Sequence, residues 1–254
     1  IKESSKANQN KLNYFQLVSM ELNSILFPAP QPSYSSETLY REILWIPKEE
    51  EKSEDIDSTT SQSSSISTTS KKKSELAHIP CLYLPYHRGS SKILIYFHGN
   101  AEDIGLAYDL LDHLRNALMV HVIAMEYPGY GVYAGSPSAT KISEDAEHLY
   151  RYLTKTLLWS EKNIMLFGRS IGSGPATLLA NKFNPGALLL MSAYTSIKQV
   201  VKHLAGKVAT VLVAERFKNI DLMEQVSCPT FFVHGQQDTL IPYTHSQELF
   251  GLCG

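Results

Sequence analysis

The sequence has few cysteines, almost no excess charge and no long hydrophobic run. Its 254 residues include three cysteines, too few and too scattered for a disulfide framework or a zinc site, which indicates a reducing compartment. A formal net charge of −2 argues against a nucleic-acid-binding protein, which would normally present a basic surface. No apolar run approaches the roughly 18 residues of a membrane span, and no signal peptide is visible. We therefore expect a cytoplasmic protein that binds no nucleic acid.

The N-terminal region differs in pattern from the rest of the chain. Apolar residues between positions 11 and 27 recur at near-helical spacing, and residues 1–35 are therefore predicted to form an N-terminal helical extension. We expect this helix to pack against the main domain, with a membrane-lying helix, and hence peripheral membrane association, as the alternative. Since the chain opens on Ile1 rather than methionine, we also expect preceding residues to be missing.

Residues 36–254 are predicted to form one α/β domain that contains a disordered insertion. The insertion, at about 49–75, joins an acidic run to a Ser/Thr-rich stretch that cannot fill a core. Predicted strands cover residues 40–46, 82–84, 92–97, 120–125, 164–167, 186–191 and 229–234, and predicted helices cover 102–118, 143–158, most of 197–227 and 243–252. This alternation with short connections predicts a doubly wound, mostly parallel sheet.

The segment after the strand at 164–167 fits the pattern G-x-S-x-G, with Ser170 between Gly168 and Gly172. A strand, a sharp turn and a helix in this order are the context in which a serine nucleophile is presented. Side chains two residues either side of such a turn would collide, which explains the glycines. The alternative is a glycine-rich turn with an incidental serine. We interpret Ser170 as a catalytic nucleophile.

A serine nucleophile needs an orienting carboxylate, a base and donors for the oxyanion. Asp238 lies in the loop that follows the strand at 229–234, where catalytic groups gather in open α/β sheets, so it is the predicted acid. The N–H of Ile171 is the first predicted oxyanion donor, and that of Asn100 is the second, with Ala101 as its rival. We predict that no metal or other cofactor takes part.

The catalytic histidine is not found where the order of the other groups places it. His245 lies only seven residues beyond Asp238 and is interpreted as a solvated or packing residue, and His98 as a structural residue of its loop. We therefore expect the sequence to be truncated before its catalytic histidine and before the last strand and helix. Glu102 and Asp103 are interpreted as stabilising the start of a helix, and Arg169 as a surface or salt-bridged residue.

Four blocks of the sequence resemble those of the α/β-hydrolase superfamily, over about residues 80–252. They are Tyr96-Phe-His-Gly-Asn-Ala-Glu-Asp-Ile-Gly105, Tyr127-Pro-Gly-Tyr-Gly131, Leu166-Phe-Gly-Arg-Ser-Ile-Gly-Ser-Gly-Pro175 and His234-Gly-Gln-Gln-Asp238. The resemblance is greatest to the eukaryotic α/β-hydrolase-domain branch that includes membrane-associated protein depalmitoylases. It implies an α/β-hydrolase fold, with Ser170 as the nucleophile and Asp238 as the acid. The N-terminal cysteine cluster of those depalmitoylases is not seen here.

The expected function is hydrolysis of an ester or thioester, including acyl groups carried on proteins, through an acyl-enzyme on Ser170. The substrate would be an acyl ester or thioester, and nothing in the sequence indicates the acyl chain or the oligomeric state. The alternative is a catalytically inactive hydrolase-fold binding or scaffold protein, which the missing histidine and the Ser/Thr-rich insertion favour. A peptidase that acts on small N-terminal residues would need a larger lid with a carboxylate that binds the substrate amine, and the sequence between 191 and 229 shows no clear one.

Overall fold

Seven strands form a single sheet in the part of the chain that the computed structural model describes, residues 27–39, 41–48, 78–210 and 215–253. They are β1 (Ile43–Pro47), β2 (His78–Leu84), β3 (Ile93–Phe97), β4 (His121–Met125), β5 (Ile164–Arg169), β6 (Ala187–Met191) and β7 (Thr230–Val233). Their order is β1-β2-β4-β3-β5-β6-β7. β1 and β2 pair in the antiparallel sense and the other five strands run parallel to one another, as the sequence predicts. The helix expected between 11 and 27 and the insertion at 49–75 lie almost wholly outside the described residues.

Six α-helices are found among these residues: α1 (Tyr108–Leu118), α2 (Ala139–Arg151), α3 (Ser173–Lys182), α4 (Ile197–Ala209), α5 (Asn219–Met223) and α6 (Thr244–Phe250). α4 is kinked at Gly206, whose φ of 80° is not helical. A π-helix, Tyr152–Thr156, continues α2, and short 3₁₀ turns cover Glu161–Asn163 and Ser170–Gly172. None of the helices in the described ranges is long and apolar enough to cross a membrane.

Two predicted helix starts are wrong, each for a local reason. The helix expected from residue 102 begins only at Tyr108, because buried Asp103 binds the N–H groups of Ser33 and Leu106 and holds this stretch in a turn. The helix expected from residue 143 begins at Ala139, because Ser138 caps it and accepts from Lys141 N at 3.2 Å. Hydrophobic spacing marks the buried face of a helix, but a polar side chain marks its first residue.

The core is divided by the sheet into two layers. All five residues of β3 are buried, and alternate ones belong to different clusters: Ile93, Ile95 and Phe97 on one face, Leu94 and Tyr96 on the other. A strand that is apolar on both faces is typical of a parallel sheet covered by helices on both sides. Each buried side chain of this size contributes about 1.5–3 kcal/mol of burial free energy.

The strand order creates a crevice beside β3. The chain passes from β3 to its neighbour β4 and then returns to the other side of β3 to form β5. The loops that follow β3 and β5 therefore leave the sheet in different directions, and ligands of open α/β sheets bind in such a gap at the carboxyl ends of the strands. The loop with Asn100 and the turn with Ser170 lie at this edge.

Candidate active site

Ser170 occupies a sharp turn between β5 and α3. Its φ of 51° lies in the left-handed region, which costs a residue other than glycine about 1–3 kcal/mol. The strand ends at Arg169, the 3₁₀ turn covers Ser170–Gly172 and α3 begins at Ser173, so the serine stands at the start of a continuous helical segment. The N–H groups and the positive end of the dipole at such a start favour an anion.

The two glycines of the G-x-S-x-G pattern are required by close packing. A Cβ atom on Gly172 would overlap the carbonyl oxygen of Phe97 at the end of β3, and one on Gly168 would lie 2.7 Å from Ser173 Cα. The turn is therefore pressed against both the neighbouring strand and its own helix. The sequence predicts that larger side chains would collide at these two positions, and the short distances to Phe97 and Ser173 agree with that prediction.

Ser170 stands where two cavities meet. The first, of about 250 Å³, is mainly apolar and is lined by Asn100, Ser170, Ile171, Tyr194, Ile197, Val200, Val201, Leu204, Leu240 and Ile241. The second, of about 420 Å³, is more polar and includes Glu102, Arg169, Ser192 and Asp238 as well as Ser170 and Asn100. The structure thus brings the predicted nucleophile, acid and oxyanion residues to one site, at which an apolar and a more polar cavity both reach the serine.

Asp238 is held as a carboxylate by its surroundings. Partial burial raises the pKa of Asp238, but the N–H groups of Ile241 and Leu240, 2.9 and 3.0 Å from Oδ1, together with the Ser192 hydroxyl and His234, lower it below the ordinary value. Its other oxygen, Oδ2, lies 3.5 Å from His234 Nε2. The side chain is therefore ionised and fixed at neutral pH, as an orienting acid must be.

The loop after β3 presents Asn100 to both cavities. The hydroxyl of Tyr130 donates to Asn100 Oδ1 at 2.9 Å and ties this loop to the one that follows β4. Next to it, Ala101 adopts a φ of 55°, so the backbone of the loop is held in a left-handed conformation. On the other side of the site, Tyr194 donates to the carbonyl oxygen of Ile171 at 3.3 Å. The choice of Asn100 over Ala101 as an oxyanion donor stays a prediction.

Glu102 and Arg169 form an ion pair across the mouth of the polar cavity. Arg169 Nη1 lies 2.9 Å from Glu102 Oε1, while Glu102 Oε2 accepts from Gly99 N at 2.9 Å. The expected salt-bridged role of Arg169 is therefore correct. The expected role of Glu102 at a helix start is wrong, because its carboxylate instead joins the loop after β3 to the end of β5.

A fully buried His98–Glu126 pair supports the loop after β3. His98 donates through Nδ1 to Gly99 O at 2.9 Å, and its Nε2 lies 3.0 Å from Glu126 Oε1. Glu126 also accepts from Tyr34 Oη at 2.8 Å and from Tyr127 N at 3.0 Å. His98 is structural, as predicted, but sequence reasoning missed Glu126. An acidic residue directly after the apolar strand β4 is the signal that could have identified it.

The other histidines near the site are hydrogen-bonded to groups other than Ser170. His234 contacts Ser246 Oγ at 2.6 Å and the carbonyl oxygen of Ile241 at 2.7 Å. His245 contacts Thr195 Oγ1 at 2.8 Å, and burial lowers the pKa of its ring. No histidine is among the described residues that line either cavity beside Ser170. No group of His, Cys, Asp and Glu side chains suited to a metal ion is found in the same ranges.

Solved structures with the same architecture are α/β-hydrolases. The esterase Pf2001 of Pyrococcus furiosus superposes with a TM-score of 0.62, at 15% identity over 89% of this chain and 82% of that one. An alpha-beta hydrolase of Vibrio vulnificus gives a TM-score of 0.56, at 18% identity over 68% of this chain and 65% of that one. At this identity the likeness defines the fold alone. The chain has the α/β-hydrolase fold, as the sequence predicts.

Sequence relatives agree with the fold, although no family model matches the chain. Alpha/beta hydrolase domain-containing protein 17B of Homo sapiens is 27% identical over 69% of this chain and 60% of the relative. The corresponding figures are 28%, 68% and 55% for protein 17C of Xenopus laevis, and 30%, 65% and 57% for protein bem46 of Schizosaccharomyces pombe. The chain therefore spans somewhat more than half the length of these relatives. The predicted resemblance to α/β-hydrolase-domain proteins is confirmed.

Proposed function

We propose that this protein is a serine hydrolase that cleaves an ester or thioester through an acyl-enzyme on Ser170. The observation that carries this proposal is the position of Ser170, on a strained turn at the start of a helical segment and at the junction of an apolar and a polar cavity. Strained backbone is tolerated where the surrounding structure over-determines it, and such residues cluster at functional sites. The α/β-hydrolase fold gives the proposal its structural context.

The reaction would proceed in two steps. The hydroxyl oxygen of Ser170 would attack the carbonyl carbon of the substrate as a base takes its proton, and the resulting oxyanion would be stabilised by the N–H groups of Ile171 and Asn100. Collapse of this intermediate would break the bond to the alcohol or thiol, which leaves with the proton. Water would then attack the acyl-enzyme in the same manner, releasing a carboxylic acid and restoring Ser170.

The apolar cavity supports an acyl substrate. Ile197, Val200 and Leu204 of α4 line the cavity on one side, and Leu240 lines it on another, so an alkyl chain attached to the reacting carbonyl would be removed from water there. The leaving group would occupy the polar cavity. Because the sequence resembles the branch that includes protein depalmitoylases, we propose an acylated protein as the substrate, met in the cytoplasm or at a membrane surface.

Asp238 would act as the acid that orients the catalytic base. The base itself has no candidate among the histidines described above, since His98, His234 and His245 are all held by other groups. This same observation favours the second candidate function, a binding protein that keeps the hydrolase fold without catalysis. The two candidates differ in whether Ser170 is chemically activated.

Labelling with a fluorophosphonate probe, which reacts with activated serines, would distinguish them. We expect labelling in the product of the complete gene and its loss, by a factor on the order of 10⁴ or more, in Ser170→Ala. Ser160→Ala, an exposed serine of the turn before β5, is the matched control and should label normally. If the folded gene product does not label, with near-ultraviolet circular dichroism unchanged from Ser170→Ala, the hydrolase proposal fails and the binding protein is favoured.

A further inference from the structure

Two more cavities adjoin each other on the side of the domain formed by β1 and the end of α2. The first, which we call the cationic cleft, has a volume of about 430 Å³ and is lined by Lys48, His148, Arg151, Tyr152 and Lys155 with Pro47 and Thr156. The second, the tryptophan groove, has a volume of about 330 Å³ and includes Leu44, Trp45, Tyr152, Leu157 and Trp159. Tyr152 belongs to both, and none of their lining residues borders the cavities beside Ser170. Both volumes lie in the range of small-molecule sites.

Positive charge dominates the cationic cleft. Lys48 pairs with the buried Asp145, and Arg151 pairs with Glu147 at 2.8 Å. Glu147 is shared with Lys182, a third cation, at 2.6 Å. Lys155 makes no ion pair with any residue in the described ranges. Among the residues that the structure describes here, the cations therefore outnumber the carboxylates. His148 donates through Nε2 to Pro47 O at 2.7 Å and adds no negative group.

The tryptophan groove is lined by several large apolar side chains that are exposed to solvent. Of its lining residues, Leu44 is 40% exposed, Trp45 47% and Leu157 51%, while Ile93 and Ile123 are buried. Single exposed apolar residues are common, but a contiguous group around a concavity indicates a binding surface. Burying such side chains releases about 25 cal/mol for each Å² removed from water.

The backbone between the cleft and the groove is irregular. Residues Tyr152–Thr156 form a π-helix, in which Leu157 N donates to Tyr152 O at 3.0 Å, and Leu158 adopts a φ of 58°. A π-turn fits an extra residue into the helix and is often found at functional sites. The left-handed conformation is costly for a leucine. This irregular segment supplies Tyr152, Lys155 and Leu157 to the two cavities.

We propose that the cationic cleft and the tryptophan groove together bind a free single-chain amphiphile with an anionic head, chemically a fatty carboxylate. The carboxylate would lie in the cationic cleft, near Lys155, where a charge-assisted hydrogen bond is available. The alkyl chain would lie in the tryptophan groove and cover Trp45 and Leu157. The positive charge of the cleft matches the head of this ligand, and the apolar groove beside it matches the alkyl chain. A purely polar or purely apolar molecule would match only one of the two. The site is separate from Ser170 and does not depend on the proposed hydrolysis.

Intrinsic fluorescence reports directly on this site, because the sequence contains two tryptophans and both Trp45 and Trp159 line the groove. The full chain with Ser170→Ala would be titrated with dodecanoate below its micelle concentration. We expect a saturable change in tryptophan emission. Dodecanol, which has the same chain without the charge, should bind at least tenfold more weakly, and inorganic phosphate alone should produce no change.

Two variants test the two halves of the site. Lys155→Gln should weaken dodecanoate binding about three- to fivefold, which is the value of a partly exposed charge pair. Lys141→Gln is the control, because Lys141 lies on α2 but outside the cleft, and it should leave binding unchanged. Leu157→Asp places a charge at the exposed rim of the groove and should weaken binding at least tenfold without unfolding the domain.

Three results would overturn the proposal. The first is the absence of a saturable change in tryptophan emission, which is expected if another part of the same chain fills the groove. The second is equal affinity for dodecanoate and dodecanol, or equal effects of Lys155→Gln and Lys141→Gln, which would make the charge irrelevant. The third is a change in tryptophan emission with anionic lipid vesicles but no change with monomeric dodecanoate. That result would indicate that this face binds a bilayer surface.

Discussion

The neighbouring strands β5 and β6 are each followed directly by a serine with left-handed backbone, yet the two serines differ in their surroundings. Ser170 has a φ of 51° and Ser192 a φ of 49°, and both line the polar cavity. After Ser170 a helical segment begins at once, and glycines lie two residues either side. After Ser192 the chain runs through the buried Ala193 before α4 begins at Ile197, and the Ser192 hydroxyl bonds to Asp238.

The difference between the two serines bears on why Ser170, and not Ser192, is the proposed nucleophile. Position at the carboxyl end of a parallel strand is common to both residues, so it is not sufficient. Only Ser170 has the N–H groups of a following helical turn beside it, and only its turn is pressed onto β3 through Gly172. The hydroxyl group of Ser192 instead bonds to the carboxylate of Asp238 and helps to hold it in place. The proposed function therefore places the nucleophile after β5 and a positioning residue after β6.

Among the variants that test this comparison, Asp238→Asn is expected to have the largest effect on labelling of Ser170. The amide cannot orient a base as the carboxylate does, and we expect fluorophosphonate labelling of Ser170 to slow by a factor on the order of 10⁴. Labelling rates would be measured on the product of the complete gene. Asp221→Asn removes a carboxylate that pairs with Lys218 on the surface and should leave the rate unchanged. Equal labelling rates for the two variants would show that Asp238 takes no part in activating Ser170.

The same variant tests the pH dependence of stability. Since the folded-state pKa of Asp238 lies below its ordinary value of 3.8, the carboxylate stabilises the fold above pH 3.8, and this contribution disappears as the pH falls through the lowered pKa. Wild type should therefore unfold at a higher temperature than Asp238→Asn at pH 7, and the gap should close at acidic pH. A gap that widens on acidification would contradict the direction of the shift.

Gly172→Ala should lower stability by about 1–3 kcal/mol, because the added methyl group overlaps the backbone of Phe97 and neither element can move freely. Urea denaturation would measure this change. Gly235→Ala is the matched control, since a Cβ atom there meets nothing within 4 Å, and it should be neutral. A neutral Gly172→Ala would show that the turn is not pressed onto β3.

Tyr130→Phe removes only the hydroxyl group that, from the loop after β4, bonds to Asn100 beside the predicted nucleophile. The lost hydrogen bond to Asn100 is worth about 0.5–1.5 kcal/mol, so labelling of Ser170 should slow by up to about tenfold while the melting temperature changes little. Tyr243→Phe, at a half-exposed position outside both cavities, should have no effect. A Tyr130→Phe variant that loses stability but labels at the wild-type rate would restrict Tyr130 to a structural role.

Ser192→Ala should have the smallest effect. It deletes one of several groups that lower the pKa of Asp238 and leaves the two backbone N–H groups in place, so we expect a labelling rate within about threefold of wild type. Complete loss of labelling in Ser192→Ala, with retention in Ser170→Ala, would reverse the roles assigned to the two strand ends.

Most of the fold could be predicted from the sequence because its signals are local. Apolar runs such as Ile93–Phe97 identify buried strands wherever they occur, and the strand–helix alternation restricts the topology to a doubly wound sheet. Helix starts were less predictable, since they depend on hydrogen bonds of the Asp103 and Ser138 side chains. Ser170 was predictable for the same reason as the strands, because the glycines that its turn requires are two residues away.

What the sequence by itself determined is the type of fold, the turn that presents Ser170, and Asp238 at the end of a strand. The tertiary structure alone decided which groups support them: Tyr130 at Asn100, Glu102 at Arg169, Glu126 at His98 and Ser192 at Asp238. These pairs are separated by 28 to 67 positions, so no local pattern couples them. The cavities likewise exist only where side chains from several elements meet, because a concave surface is a property of packing and not of any one segment.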